Sequence, residues 1–267
     1  MRRRHLVELE DLPWIPRAIR DGATSYLAWV VARSGQVEPL VPVLESLLRR
    51  TGEREILDLC SGGAGPTPEV VARLRARGLP VHATLTDFHP NAAALAAAAA
   101  ASNGALSHSA EPVDATRVPA ELAGVRTIWN AFHHFRPAQA RAILASAADA
   151  RRPIAVFELV GREPLHLLGL FFAPLVAALT VPFWRPFRIE SLLLSWLVPL
   201  IPAVILWDGI VSWLRIYGES ELRELVAPFA GTDYDWEIGK IRMGRLPVHA
   251  SYLLGSPRSA RAAQTVS

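Results

Sequence analysis

The feature that most constrains the fold of this chain is a short apolar segment followed by a glycine-rich turn and a helical pattern. Residues 55–59 form the apolar segment, and residues 61–66 contain three glycines and a proline. Residues 68–77 then place Val70, Val71 and Leu74 on one helical face. A strand, a glycine turn and a helix in this order predict an α/β domain whose turn can approach a ligand closely.

The same alternation of strand and helix continues along the chain. Further strands are predicted at 81–86, ending near Val113, and at 125–130 and 154–159, and helices at 90–101, 137–150 and 219–229. Residues 236–243 and 248–254 read as two strands with no helix between them, which predicts an antiparallel pair. The predicted fold class is therefore α/β, with a Rossmann-like doubly wound sheet that is mostly parallel and has an antiparallel last strand.

The pattern also divides the chain into regions. We expect an N-terminal helical cover at 1–50, a Rossmann-like core at 51–160 and an apolar helical insertion at 161–215. The core ends at 216–255 with a helix and a strand hairpin. Residues 256–267 are small and polar, which predicts a disordered tail.

Composition excludes several classes of protein. A single cysteine, Cys60, rules out an intrachain disulfide and a multi-cysteine zinc site, and it is consistent with a reducing compartment. The formal net charge is +3, and no Lys/Arg stripe interleaved with aromatic residues is present, so nucleic acid is not an expected partner. The sequence offers no convincing set of metal ligands, so we predict no bound metal. It also shows no secretory signal, because the segment after Arg4 is charged.

Two acidic residues follow the glycine turn at positions suited to a nucleoside. Asp87 stands at the end of the second predicted strand, where a carboxylate can accept hydrogen bonds from ribose hydroxyls. Asp114 follows the third predicted strand, within reach of an adenine amino group. The turn lacks a tight G-x-G-x-x-G, which argues against a dinucleotide as the ligand.

Four motifs together resemble those of class I S-adenosylmethionine-dependent methyltransferases of the small-molecule type. They are Leu57-Asp58-Leu59-Cys60-Ser61-Gly62-Gly63-Ala64-Gly65, Thr86-Asp87-Phe88-His89-Pro90-Asn91, Val113-Asp114-Ala115 and Trp129-Asn130-Ala131-Phe132-His133-His134-Phe135. The resemblance covers about residues 50–160 and the terminal strand pair. One departure is Cys60, which stands where the first glycine of the family's loop often lies.

The resemblance implies S-adenosylmethionine as the cofactor and assigns roles to individual residues. The loop would approach the cofactor, Asp87 would hold the ribose, and Phe88 would pack on the adenine. Asp114 and Ala115 would line the adenine edge, and Asn130 would lie near the methionyl group. The loop residues in this set are Asp58, Cys60, Ser61, Gly62, Gly63 and Gly65, of which Asp58 is expected to anchor the loop rather than to touch the ligand.

Three residues are candidates for catalysis. His133 and His134 follow the fourth predicted strand, where a histidine could accept a proton from a substrate hydroxyl. Asp208 ends an uncharged run and is the second candidate base, because burial tends to raise a carboxyl pKa. The structural alternatives are that both histidines are core residues whose ring nitrogens are hydrogen-bonded, and that Asp208 forms a cap or turn before Gly209.

The insertion is the second constraining feature. Residues 164–184 and 191–207 contain no Asp, Glu, Lys or Arg, and each run is interrupted by two prolines. We expect a kinked hairpin that dips into one membrane leaflet, which would place the protein in the cytoplasm, peripheral or monotopic at the inner face of the membrane. The alternatives are a spanning pair of helices and a buried pair that forms an apolar lid or a homodimer face.

The sequence therefore predicts an enzyme that methylates a hydrophobic small molecule or lipid-like acceptor. One alternative is a membrane-associated nucleoside-binding protein without catalysis. The other is a nicotinamide-dependent reductase built on a similar sheet.

Overall fold

A computed structural model describes residues 3–185, 187–244 and 247–258. Its centre is a seven-stranded sheet in the order β3-β2-β1-β4-β5-β7-β6. The strands are β1 (Glu55–Leu59), β2 (His82–Leu85), β3 (Leu106–His108), β4 (Val125–Trp129), β5 (Ile154–Glu158), β6 (Tyr234–Arg242) and β7 (His249–Pro257). The first five strands run parallel, whereas β7 lies antiparallel between β5 and β6. The predicted fold class is confirmed.

Helices cover both faces of the sheet, which explains why β4 and β5 are buried along their whole length. The helices are α1 (Arg17–Ser34), α2 (Val41–Thr51), α3 (Thr67–Ala76), α4 (Ala92–Ala100), α5 (Pro137–Asp149), α6 (Pro164–Thr180), α7 (Ile189–Trp196), α8 (Leu200–Arg215) and α9 (Glu219–Val226). The core on one face is built with α2, α3 and α4, and the core on the other face with α5 and α9.

A third apolar cluster joins α1 to the insertion. Ile19 and Tyr26 on α1 pack against Ala177 at the end of α6, against Trp184 and against Ile201 on α8. We call α1, α6, α7 and α8 the helical cap. It lies beside the edge of the sheet at which the parallel strands end.

The helix α6 differs from an ordinary core helix. The segment Pro164–Phe183 is long and apolar enough to cross a membrane, with a mean hydropathy of 1.9, yet only 11% of it is buried. Helices α7 and α8 meet at an angle of 78°, and together they pass the same test of length and composition. The bend falls at Pro199, which precedes the first residue of α8.

Two elements differ from the sequence expectation. The third strand is Leu106–His108 rather than a strand ending near Val113, so Asp114 lies in the loop that follows it and not at a strand end. That loop still returns to the sheet, because the Val113 N–H donates to the Asp87 carbonyl at 2.9 Å. Strand β7 extends to Pro257, so the predicted tail does not begin at Ser256; residues 259–267 of that tail lie outside the described residues.

Candidate functional site

The glycine turn follows β1 and adopts a backbone that favours glycine. Gly62 has φ +54°, and a side chain built there would meet nothing within 4 Å, so the turn is open on its outer side. Cys60 has φ +62°, a left-handed conformation that costs a non-glycine residue about 1–2 kcal/mol. This conformation explains why a glycine suits the position of Cys60.

Asp58 holds the turn from below. Its Oδ1 accepts from the Thr127 hydroxyl and its Oδ2 from the Ser61 hydroxyl, both at 2.7 Å. The residue is 2% exposed, and burial raises the pKa of its carboxyl to about 6. With both oxygens engaged below the turn, Asp58 anchors the loop and ties β1 to β4.

Asp87 joins the second motif to the first. Its Oδ2 accepts from the Gly62 N–H and its Oδ1 from the His89 N–H, each at 2.8 Å. These bonds fix the carboxylate at the edge of the turn while part of the side chain stays accessible. Gly62 and Asp87, which lie 25 residues apart in the chain, are thus in direct contact.

Acidic groups surround the turn. The pKa of the Cys60 thiol is raised by burial and then by the charges of Asp87, Asp58 and Asp114. A thiol with a raised pKa is a poor nucleophile, so Cys60 does not act as one. The same acidic surroundings favour a ligand with hydroxyls or a positive charge over an anionic one.

The remaining predicted cofactor residues lie along the same edge of the sheet. Phe88 is 54% exposed, Asp114 is exposed and Ala115 is buried. Asn130 follows β4 in a left-handed conformation, and its Oδ1 accepts from the Leu159 N–H at 3.2 Å. Thr24 on α1 approaches the position of a Gly63 side chain at 3.7 Å, so the cap reaches the turn.

A cavity of about 960 Å³ lies between the sheet edge and the helical cap. One end is polar and contains Asn130, His133, His134, Asp208, Glu8, Glu10 and Ser212. The walls are apolar and come from α1, α6 and α8, with residues such as Tyr26, Val30, Leu168, Phe172 and Ile205. The cavity therefore joins the predicted cofactor residue Asn130 to an apolar space.

His133 is fixed in this polar end. Its Nδ1 lies 2.9 Å from Glu158 Oε2, and its backbone N–H donates to Glu158 Oε1 at 2.8 Å. The residue is 2% exposed, and its Nε2 lies 3.9 Å from Glu8 Oε1. A carboxylate on Nδ1 favours the tautomer whose Nε2 is an acceptor.

His134 lies in a network of charges. Its Nδ1 is 3.3 Å from Glu8 Oε2 and 3.5 Å from Asp11 Oδ1. Burial lowers the pKa of its imidazole, but the hydrogen bond with Asp11 and the charges of Glu8 and Asp11 outweigh burial, so the net pKa is raised. A raised pKa keeps more of the His134 imidazole protonated at neutral pH, so less of it is free to accept a proton from a substrate.

The ligand atoms of Glu8, His133 and His134 lie within 4.8 Å of one another, close enough to hold a metal ion. However, an Arg215 nitrogen lies 3.0 Å from Glu8 Oε1, so a guanidinium already supplies positive charge to this cluster. The Ser212 hydroxyl donates to the same oxygen at 2.9 Å. The arrangement favours an ion-pair network over a metal centre.

Asp208 holds the N-terminal segment against α8. Its Oδ1 accepts from the Leu9 N–H at 2.6 Å and its Oδ2 from the Glu10 N–H at 3.0 Å. The residue lies within α8, so the alternative expectation of a cap or turn before Gly209 is wrong. Asp208 lines the cavity, but both of its carboxylate oxygens accept hydrogen bonds from backbone N–H groups.

Three acidic residues in the polar end or in contact with it were not predicted from the sequence. Glu8 and Glu10 arrive from the N-terminal segment through its contacts with α8, and Glu158 ends β5. The one available signal was the charged ending of an otherwise apolar strand at Glu158. Nothing local distinguishes Glu8 or Glu10 from a solvated terminus.

The chain is similar to several solved structures at low sequence identity. No family profile matches the chain, and no curated protein matches it. Among solved structures, the plantazolicin methyltransferase BpumL in complex with SAH is similar at 12% identity, with 90% of this chain and 98% of that chain covered and a TM-score of 0.49. A putative Zn-dependent alcohol dehydrogenase from Rhodobacter sphaeroides is similar at 13% identity, with 91% of this chain and 99% of that chain covered and a TM-score of 0.48. An O-methyltransferase family 2 protein from Planctomyces limnophilus, in complex with apigenin, is similar at 15% identity. The match covers 90% of this chain and 64% of that chain, with a TM-score of 0.46.

Proposed function

We propose that this protein is an S-adenosylmethionine-dependent methyltransferase that acts on a hydrophobic acceptor. The observation that carries the proposal is that the glycine turn after β1 and Asn130 after the neighbouring parallel strand β4 lie at one edge of the sheet, and that Asn130 lines the apolar cavity. A nucleoside cofactor on the turn would place its reactive group beside Asn130. An acceptor in the cavity would then face that group.

The turn suits a nucleoside whose reactive group is cationic. Gly62 and Gly63 leave room for close approach, and Asp87 offers a fixed carboxylate to ribose hydroxyls. The carboxylates of Asp58, Asp87 and Asp114 repel an anionic pyrophosphate. Strand order also differs from the all-parallel 3-2-1-4-5-6 order of dinucleotide-binding sheets, because β7 is inserted antiparallel between β5 and β6. Both features favour the methyl donor over a nicotinamide dinucleotide.

The chemistry needs little from the protein beyond orientation. S-adenosylmethionine, when bound, supplies a methyl group already activated by its sulfonium. The chain's own residues must position the acceptor in line and receive its proton. We assign proton acceptance to His133, because Glu158 orients its ring and Nε2 faces the polar end of the cavity.

We further propose that the cap contacts the cytoplasmic face of a membrane. Its exposed large apolar residues include Leu168, Phe171, Phe172, Leu175, Leu179, Phe183, Leu193, Trp196, Leu197 and Trp207. On α6, Phe171, Leu175 and Leu179 recur every fourth residue and so share one face of the helix. Contiguous apolar surface of this kind marks interaction sites. An uncharged helix that is 11% buried fits lipid better than a lid, whose apolar side would face protein.

The test is methyl transfer. The protein would be incubated with radiolabelled S-adenosylmethionine and a lipid extract, and the label followed into the organic phase. Transfer by the wild type and loss in an Asp87→Ala variant support the proposal. Binding of S-adenosylhomocysteine without transfer to any lipid acceptor would favour the nucleoside-binding alternative. Thermal stabilisation by NADP and not by S-adenosylhomocysteine would favour the reductase.

A further inference from the structure

The cavity has an opening between two helices of the cap. Helices α1 and α6 both pack against α8, and Tyr26 on α1 contacts Trp184, which lies after the end of α6. Residues of α1 and of the first part of α6 line the cavity between the two helices. Leu27, Leu168 and Phe172 line the cavity and are also 48%, 52% and 58% exposed. These three residues therefore mark the mouth.

The mouth is continuous with the exposed apolar side of the cap. Leu168 and Phe172 belong to the same uncharged helix as Phe171, Leu175 and Leu179. A molecule leaving the cavity through the mouth meets apolar side chains on both sides of the gap. Such a surface favours a hydrocarbon chain over a polar one.

The inner end of the cavity presents an acceptor that lacks a partner. Glu10 lines the cavity, and its Oε1 is buried with no hydrogen-bond partner among the described residues. Its neighbour Glu8 is instead satisfied by Arg215 and Ser212. A buried carboxylate oxygen without a partner is costly, and a ligand donor would relieve that cost. Burial, followed by the charges of Asp208 and Glu8, raises the pKa of Glu10 to about 7.

We propose that the acceptor is a membrane-dissolved amphiphile that enters the cavity laterally between α1 and α6. Its head group carries a hydroxyl or amine that donates a hydrogen bond to Glu10, and its hydrocarbon chain leaves through the mouth at Leu27, Leu168 and Phe172. An anionic head group is disfavoured because Glu8, Glu10 and Asp208 converge at the inner end. This proposal rests on the proposed function for the fate of the head group, but binding of the amphiphile does not require methyl transfer.

Gly169 gives a direct test of the mouth. It lies on α6, lines the cavity and has no atom within 4 Å of the position of a side chain. A leucine there adds an apolar side chain to the cavity lining with no clash at its Cβ, and replacing a helical glycine does not weaken the helix. Leu179→Phe is the matched control, because it adds bulk to the same helix outside the cavity lining.

The experiment measures binding of pyrene-labelled dodecanol to the full-length protein on phosphatidylcholine vesicles. Energy transfer from tryptophan to pyrene reports binding, and unlabelled dodecanol competes. We expect saturable binding by the wild type and by Leu179→Phe, with a loss of about tenfold or more in Gly169→Leu, equivalent to about 1.4 kcal/mol. Absence of saturable binding in the wild type, or equal binding in Gly169→Leu, would overturn the proposal.

Head-group recognition is tested in the same assay at pH 8.5, above the pKa of Glu10. Dodecanol and dodecylammonium should displace the probe at least about tenfold better than dodecanesulfonate, which stays anionic. Glu10→Gln should reduce that preference to within about threefold. An unchanged preference in Glu10→Gln would place the head group elsewhere and overturn the proposal. S-adenosylhomocysteine binding is measured in parallel, so a failure of the cofactor assignment is seen separately from a failure of lateral entry.

Discussion

The glycine-turn edge of the sheet and the helical cap solve opposite problems. At the turn, the buried polar groups of Asp58, Ser61 and Thr127 satisfy one another, and the loop they hold is left open towards a ligand. In the cap, apolar side chains such as Phe171 and Leu179 point away from the protein core. The buried polar groups of the turn therefore need no further partner, whereas the exposed apolar side chains of the cap are unfavourable in contact with water. An apolar environment would remove that contact.

The largest expected effect lies where the two regions meet. His133→Asn keeps a donor towards Glu158 and removes Nε2, so it should lower turnover by about 10²–10⁴-fold, the usual contribution of a positioned base. Single-turnover methyl transfer would measure this loss, and S-adenosylhomocysteine affinity should stay near the wild-type value. Turnover within a few-fold of the wild type would make His133 a structural residue.

The cap alone is tested by removing its apolar side. Replacing Phe171, Leu175 and Leu179 together by glutamine should reduce binding to vesicles by about 10² or more, since each buried side chain contributes about 1.5–3 kcal/mol. Co-sedimentation with liposomes would measure the change, and Asp87→Ala is the control because it lies at the turn. Deleting residues 164–207 is a poorer test, since Ile19 and Tyr26 would lose their packing partners.

Equal sedimentation of the triple variant and the wild type would contradict the membrane assignment. So would a wild type that is monodisperse in plain buffer and does not bind liposomes. In both cases the apolar lid or homodimer face would become the better interpretation of the cap.

The turn alone is tested by Asp87→Ala. The variant should weaken S-adenosylhomocysteine binding by about 1–3 kcal/mol, because a charge-assisted bond to ribose is lost together with the brace on Gly62. Calorimetry would measure the affinity, and vesicle binding should not change. Equal affinity of the variant and the wild type would show that Asp87 does not hold the ribose.

The two regions also differ in how far the sequence predicts them. The turn is local: β1, Gly62 and helix α3 are adjacent in the chain, so their pattern reveals both the fold and the loop. The strand β3 was misplaced because it spans only Leu106–His108, too short for a periodic signal. The uncharged runs of the cap predict helices, but they carry no polar face that would tell lipid from protein.

The polar end of the cavity could not be predicted because it is assembled from distant segments. Asp208 on α8 holds the backbone of Leu9 and Glu10, almost 200 residues away in the chain. Glu158 reaches His133 from the neighbouring strand. The sequence predicted the histidines, since they follow β4 directly, but not the carboxylates that orient and charge them.

The smallest effect on catalysis is expected for Asp208→Asn, which separates anchoring from proton transfer. Asparagine offers one acceptor oxygen where aspartate offers two, so one of the two backbone N–H groups at Leu9 and Glu10 loses its partner in a buried site. The free energy of unfolding should fall by about 1–3 kcal/mol, measured by chemical denaturation. Turnover should stay within about threefold of the wild-type value at a temperature where the variant is folded, because the substitution leaves His133, the assigned proton acceptor, in place. Ser212→Ala is the matched control, since it removes one hydrogen bond to the same N-terminal segment from the same helix.

If Asp208→Asn instead abolished turnover without loss of stability, Asp208 would be the proton acceptor. The catalytic group would then belong to the cap rather than to the sheet, and the division of labour between the two regions would be reversed.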